Sequence, residues 1–143
     1  MTTHRQLLLL TAFALLLAGP AAAADIAGKW RAEFDTQIGL QKYVYAFKVD
    51  GDKITGRASF ERNNPNGGVD KGEVELKEIK LTGDDISFME PLEFDGQQIR
   101  IDYHGKVTGD EMKLTRQVGD FATEEVVAKR LKEEPSKPSA PKP

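Results

Sequence analysis

Apolar and polar residues alternate along most of the chain, and the alternation breaks at clusters of Gly, Asp, Asn and Pro. Trp30, Ala32 and Phe34 fall on one side of the first stretch, with Lys29, Arg31, Glu33 and Asp35 on the other. Successive side chains of an extended chain point to opposite faces, so this period of two predicts a strand with one buried face. Gln41 to Val49 repeats the pattern with Tyr43, Tyr45, Phe47 and Val49 inward, and Ile54, Gly56, Ala58 and Phe60 continue it. Val74-Glu75-Leu76 and Ile79-Lys80-Leu81 alternate out of phase with each other, which predicts one strand with a bulge near Lys77-Glu78. Ile86, Phe88, Glu90 and Leu92 form the next inner row, with Pro91 marking an edge or a strand end. Ile99, Ile101, Tyr103, Gly105 and Val107 follow, then Met112, Leu114, Arg116 and Val118, and Thr123 to Leu131 forms the last strand.

Three of the connections share one pattern: Val49-Asp50-Gly51-Asp52-Lys53-Ile54, Leu81-Thr82-Gly83-Asp84-Asp85-Ile86 and Val107-Thr108-Gly109-Asp110-Glu111-Met112. Glycine reaches positive φ without a Cβ clash and Asp tolerates the neighbouring turn positions, so each reads as a tight hairpin. Asp95-Gly96 and Gly119-Asp120 predict further turns, and Asn63-Asn64-Pro65-Asn66-Gly67-Gly68 predicts the longest loop. No stretch sustains a helical period. Eight antiparallel strands with one apolar face either close into a barrel or fold into a two-layer sandwich. Sequential hairpins, the lack of a long crossover and the removal of exposed edges favour an all-β, eight-stranded antiparallel up-and-down barrel.

The two ends of the chain do not fit this pattern. Arg5 precedes an apolar run from Leu7 to Ala18, Gly19-Pro20 breaks it, and Ala22-Ala23-Ala24 offers small residues for cleavage. That is the form of an export signal over residues 1–24, and the run is shorter than the roughly 20 apolar residues of a membrane-spanning helix. Pro135, Pro138, Pro141 and Pro143, set among Lys, Glu and Ser, predict a disordered tail over residues 132–143. One domain, residues 25–131, remains. The expected location is therefore periplasmic or extracellular. The chain has no cysteine, so an exported domain must be held by its core alone, without disulfides. The formal net charge is −3, with both signs intermixed, which argues against nucleic acid or an anionic membrane as the main partner. A monomer that does not insert into membrane after signal cleavage is expected.

Two inner-row positions are charged, Glu90 between Phe88 and Leu92 and Arg116 between Leu114 and Val118. An unpaired buried charge costs several kcal/mol, a large part of the roughly 5–15 kcal/mol that holds such a domain, so both must be paired or wet. They lie on strands five and seven, on either side of strand six. One reading makes them the polar floor of a ligand cavity walled by Tyr43, Tyr45 and Tyr103. The other makes them a structural ion pair closing one barrel end, or turns one of them outward at a bulge. An eight-stranded barrel is just wide enough for side chains to fill it or for one small ligand. Trp30, Phe34, Phe47, Phe60 and Phe88 speak for filling; Gly56, Ala58 and Gly105 speak either for a gap or for sharp coiling of the strands.

Other chemistries lack their residues. His104 is the only histidine in residues 25–131 and falls on an outward row, against a histidine-based triad or metal cluster. Asp50-Gly51-Asp52 lacks the further acidic positions of a calcium loop, and no glycine-rich phosphate loop precedes a helix. No metal and no cofactor is expected. Glycoside hydrolysis needs two carboxyl groups facing each other about 5–9.5 Å apart, and Glu90 has no evident inward carboxylate partner. Glu124-Glu125 and the outer Lys/Glu rows read as a solvated face.

Gly28-Lys29-Trp30 resembles the G-x-W that opens lipocalins and related calycin barrels. In those folds an arginine late in the barrel packs over the tryptophan, a role the resemblance gives to Arg130 or Arg116. Phe47 to Gly56 is similar to the second hairpin of avidin-type barrels, whose biotin pocket is lined by several tryptophans where this chain has one. Phe34-Asp35-Thr36-Gln37-Ile38-Gly39, Gln41-Lys42-Tyr43 and Val118-Gly119-Asp120-Phe121-Ala122-Thr123-Glu124-Glu125 resemble a family of small exported bacterial proteins of poorly defined function. Segments similar to that family are also appended to secreted glycoside hydrolases and esterases. The expected function is an exported, non-catalytic barrel that binds a small or partly apolar ligand at one open end through Trp30, Tyr43, Tyr45, Glu90, Tyr103 and Arg116. The alternative, implied by the resemblance, is an accessory module of a secreted glycoside hydrolase, or a small hydrolase, acting on polysaccharide.

Overall fold

A computed structural model describes residues 24–132. The expected export signal and tail lie outside the described residues, apart from Ala24 and Lys132. Eight strands follow one another: β1 (Gly28–Thr36), β2 (Gly39–Asp50), β3 (Lys53–Asn63), β4 (Val69–Thr82), β5 (Asp85–Phe94), β6 (Gln97–Thr108), β7 (Glu111–Val118) and β8 (Ala122–Arg130). Each pairs antiparallel with its sequence neighbours and β8 returns to β1, which makes a closed up-and-down barrel. The three Gly-Asp hairpins form as the alternation requires. Gly51, Gly83 and Gly109 have φ of 58°, 59° and 59°, while the following Asp residues stay at negative φ. Glycine at positive φ in the first turn position matches the right-handed twist of the flanking strands.

The bulge expected in β4 is present: register with β5 shifts between Lys77 and Lys80, and Glu78 sits at φ 53°. β4 also begins earlier than the alternation suggests, because Val69–Glu73 pair with Ser59–Asn63 across the Asn-rich loop. The inner rows form one core from Trp30, Tyr45, Phe47, Phe88, Ile101, Met112, Leu114 and Val126 with their neighbours. Val49, expected inward, is exposed: it stands beside the Gly51-Asp52 hairpin, near the tip of the β2–β3 ladder. The inner glycines mark close packing, not empty space. A Cβ on Gly105 would lie 1.9 Å from the Lys113 carbonyl oxygen of β7, and one on Gly56 would meet the Phe47 ring at 2.9 Å.

The two ends of the barrel differ. At the end that holds the Gly-Asp hairpins, Ile26 is fully buried, its carbonyl accepts from Trp30 Nε1 at 3.0 Å, and Ala24 N donates to Gly83 O at 3.0 Å. Of the two arginines expected over Trp30, Arg130 takes the place, its guanidinium 4.2 Å from the ring centroid. It also donates to Ala27 O and Asp110 Oδ1, tying the incoming segment to the last strand. The opposite end has no such plug among the described residues. There the ladder lapses at two seams: β1 pairs with β8 only over Trp30–Ala32 and Ala128–Arg130, and β4 with β5 only from Lys77 to Thr82. Pro91, which has no N–H to donate, pairs with Arg100 of β6 but with nothing on β4. Towards this mouth the wall therefore parts into two halves, β1–β4 and β5–β8.

Candidate functional site

The parted end holds a cavity of about 300 Å³. Connections β1–β2, β3–β4, β5–β6 and β7–β8 surround it, and its lining is apolar at the rim and polar at the floor. Ile38, Phe94 and Phe121 stand at the rim, all exposed and Phe121 by 73%, and together they form an apolar patch of the kind that marks binding sites. Leu92, Ile99 and Val118 continue the apolar wall inward. Gln41, Arg62, Arg116 and Glu124 form the floor.

Period-two alternation brings the floor residues inward. Arg62 follows Phe60 on β3, Glu124 precedes Val126 on β8, and Gln41 precedes Tyr43 on β2, each two positions from an inward neighbour. Glu90 is completely buried and Arg116 is 5% exposed. They do not contact each other directly; two phenols lie between them. Tyr103 Oη donates to Glu90 Oε2 at 2.8 Å and accepts from Arg116 Nε at 2.9 Å. Tyr43 Oη donates to Glu90 Oε1 at 3.1 Å and accepts from Arg116 Nη2 at 3.2 Å. Tyr45 Oη donates to Tyr103 Oη at 3.2 Å. Each charge also has an opposite partner: Arg62 Nη1 lies 3.3 Å from Glu90 Oε1, and Arg116 Nη1 lies 2.6 Å from Glu124 Oε2. Two cations and two anions thus cancel within one hydrogen-bonded layer, which is what allows four ionic groups inside so small a barrel.

The layer is electrostatically fixed. Burial, and then the Glu90 carboxylate, pushes the Tyr43 phenol up to about 12. Burial holds the Tyr45 and Tyr103 phenols well above the ordinary tyrosine value. All three therefore serve as neutral donors at any physiological pH. Burial disfavours the charged form of Arg116, but Tyr103, Tyr43 and Glu90 outweigh it and keep the guanidinium protonated.

The six residues expected to bind ligand occupy three depths. Arg116 reaches the cavity surface. Glu90, Tyr43, Tyr45 and Tyr103 lie in the layer below it, with their polar atoms spent on one another and on Arg116 and Arg62. Trp30 belongs to the plugged half, under Arg130. Glu124 is not part of a solvated face; it is the carboxylate that neutralises Arg116. Arg62, Gln41 and Glu124 are not among those six residues. Each lies two positions beyond an inward neighbour, Phe60 for Arg62, Tyr43 for Gln41 and Val126 for Glu124, so period two reaches all three once those neighbours are known to face inward. Among the described residues no group of three His, Asp or Glu side chains could hold a metal ion. Of three further hollows, two lie on the outer wall, one of them against Gly105, Lys106 and Lys113, and one lies at the plugged end beside Asp25 and Asp110. Comparison of the chain with family models, with curated proteins and with solved structures finds no match to any of them.

Proposed function

We propose that the protein is an exported binding protein that takes a small, partly apolar ligand into the parted mouth of the barrel. The observation that carries this is the coincidence of an exposed apolar rim with a cavity of about 300 Å³ over a buried, charged floor at the one end that nothing plugs among the described residues. Ligand sites in proteins are concave and mostly apolar, with a few fixed polar groups, and this volume lies at the lower end of their range. The outer rows of the wall are rich in Lys, Arg and Glu, the reverse of a lipid-facing barrel, which supports water around it. Export rests on the signal-like residues 1–24.

A hydrolase is less well supported. Both Glu90 oxygens already accept hydrogen bonds below the floor and Glu124 is held by Arg116, so neither of these two inward carboxyl groups is free to protonate a leaving group. The accessory-module reading rests on the sequence resemblance alone.

Isothermal titration with a panel of lipids, aryl compounds and sugars tests the proposal, followed by amide chemical-shift mapping. Trp30 fluorescence is a poor reporter because the indole lies in the plugged half. Shifts confined to residues 36–41, 62–70, 92–99 and 116–124 are expected. No response to any member of the panel, or shifts only on the outer wall, would overturn it.

A further inference from the structure

The floor of the mouth also constrains the head group of the ligand, an inference that rests on the binding reading above. Gln41 is 3% exposed and lines the cavity. Its Nε2 lies 3.3 Å from Gly39 O, 3.4 Å from Asn63 O and 3.3 Å from Thr36 Oγ1. Two carbonyl oxygens can accept only, so the amide nitrogen must face them and the orientation of the side chain is fixed. Gln41 Oε1 is then left without a donor, and it is the one buried side-chain polar atom among the described residues that has no partner. Native proteins rarely leave such an acceptor empty, since it forfeits its hydration without replacement.

Directly across the β2–β3 ladder from Gln41 stands Arg62. Side chains opposed in this way have Cβ atoms about 4.5–5.5 Å apart. Arg62 spends Nη1 on Tyr43 and Glu90, while its Nε and Nη2 make no hydrogen bond among the described residues. Gln41, with its vacant acceptor, and Arg62, with its vacant donors, therefore stand opposite each other among the residues that line the cavity. The charges around them give no net attraction for an anion: Arg62 and Arg116 are offset by Glu90 and Glu124, and Asp70 and Glu93 add negative charge to the lining.

We infer that the mouth takes an uncharged amphiphile whose head group donates to Gln41 Oε1 and accepts from Arg62, as a primary carboxamide does, with its apolar chain against Ile38, Phe94 and Phe121.

Four probes of one chain length separate the possibilities by isothermal titration on the folded protein: octanamide, octanoate, octylamine and nonan-2-one. The ketone has the shape of the amide and keeps the carbonyl acceptor but has no N–H. Octanamide is expected to bind about tenfold more tightly than the other three, the worth of one well-made buried hydrogen bond. Gln41→Leu is expected to remove that preference, so that amide and ketone bind alike. The ketone comparison needs no variant, so it decides the matter even if Gln41→Leu folds poorly. Octanoate or octylamine binding as well as octanamide, or octanamide no better than nonan-2-one, overturns the head-group assignment and leaves the mouth as a binding site. Silence of all four probes together with silence of the wider panel overturns the mouth reading itself.

Discussion

Glu90 shows how a single buried charge is tolerated. Its two oxygens accept from Tyr43, Tyr103 and Arg62, so every removal leaves a donor stranded. Glu90→Gln keeps the shape but leaves Arg62 and Arg116 sharing the one carboxylate of Glu124. Breaking a buried pair costs about 3–5 kcal/mol, and Arg62, whose side chain is 18% exposed, recovers part of this by turning to water. A loss of about 3 kcal/mol is expected in urea unfolding. The same layer predicts alkaline sensitivity. An unfolded tyrosine ionises near pH 10, while the folded Tyr43 phenol does so at about 12, so between these values the unfolded state binds fewer protons. Stability is therefore fully present below pH 10 and falls as pH rises through 12. Tyr43 alone accounts for about 3 kcal/mol of that fall, with Tyr45 and Tyr103 acting in the same direction. Denaturation followed from pH 8 to 12 checks this; a flat profile would show that the phenols do not lie in a dry layer.

Among the elements, the seams between β4 and β5 and between β8 and β1 separate the molecule into its two functions. Below them the ladders are continuous and the core is packed; above them the two halves of the wall face each other across the cavity. The polar layer lies at this boundary and joins the halves by side chains: β2 to β5 through Tyr43–Glu90, β3 to β5 through Arg62–Glu90, and β7 to β2 through Arg116–Tyr43. Backbone amides protected only by local contacts exchange faster than those in a full ladder. The amides of Glu33–Thr36, Ala122–Val127 and Val69–Leu76 that have no partner on their second side are expected to exchange soonest, and those of the β2–β3 ladder latest. Hydrogen exchange read by NMR gives the order directly. Tight packing below the seams sets the opposite expectation for Gly105. Its missing Cβ lets β6 approach the Lys113 backbone, so Gly105→Ala must push β7 away and should cost at least about 3 kcal/mol in thermal or urea unfolding.

For the molecule as a whole, the placement of exposed apolar area separates folding from binding. Phe121 contributes little to the core, being 73% exposed, yet stands at the rim of the mouth. Phe121→Ser is therefore expected to leave the unfolding midpoint within about 0.5 kcal/mol of the parent, as surface changes usually do. It should weaken an apolar ligand about tenfold, since covering a phenyl ring by half is worth about 1.4 kcal/mol. Equal losses of stability and affinity, measured by melting and titration on the same samples, would make Phe121 a core residue and remove the rim from the binding site.

Much of this was legible in the sequence because the pleat is a local property. Which side of a strand faces inward depends only on the residue and its neighbours two positions away, so the strands, the bulge, the hairpins and the inward charges Glu90 and Arg116 follow from alternation and turn chemistry. The reach of each inner row was not legible where it runs into polar residues. Arg62 and Gln41 adjoin turn clusters, and Glu124 sits beside Glu125, so their polarity masks their phase. Which inward groups meet is not local at all. It depends on the stagger accumulated over eight strands, which carries Glu90 of β5 to Arg62 of β3 and puts two tyrosines between it and Arg116. The sequence by itself determined the number of strands and the buried face of those whose alternation is unbroken; the phase of the last strand, closure, the plugged and parted ends, and the matching of four buried charges were decided only when the strands were brought into register.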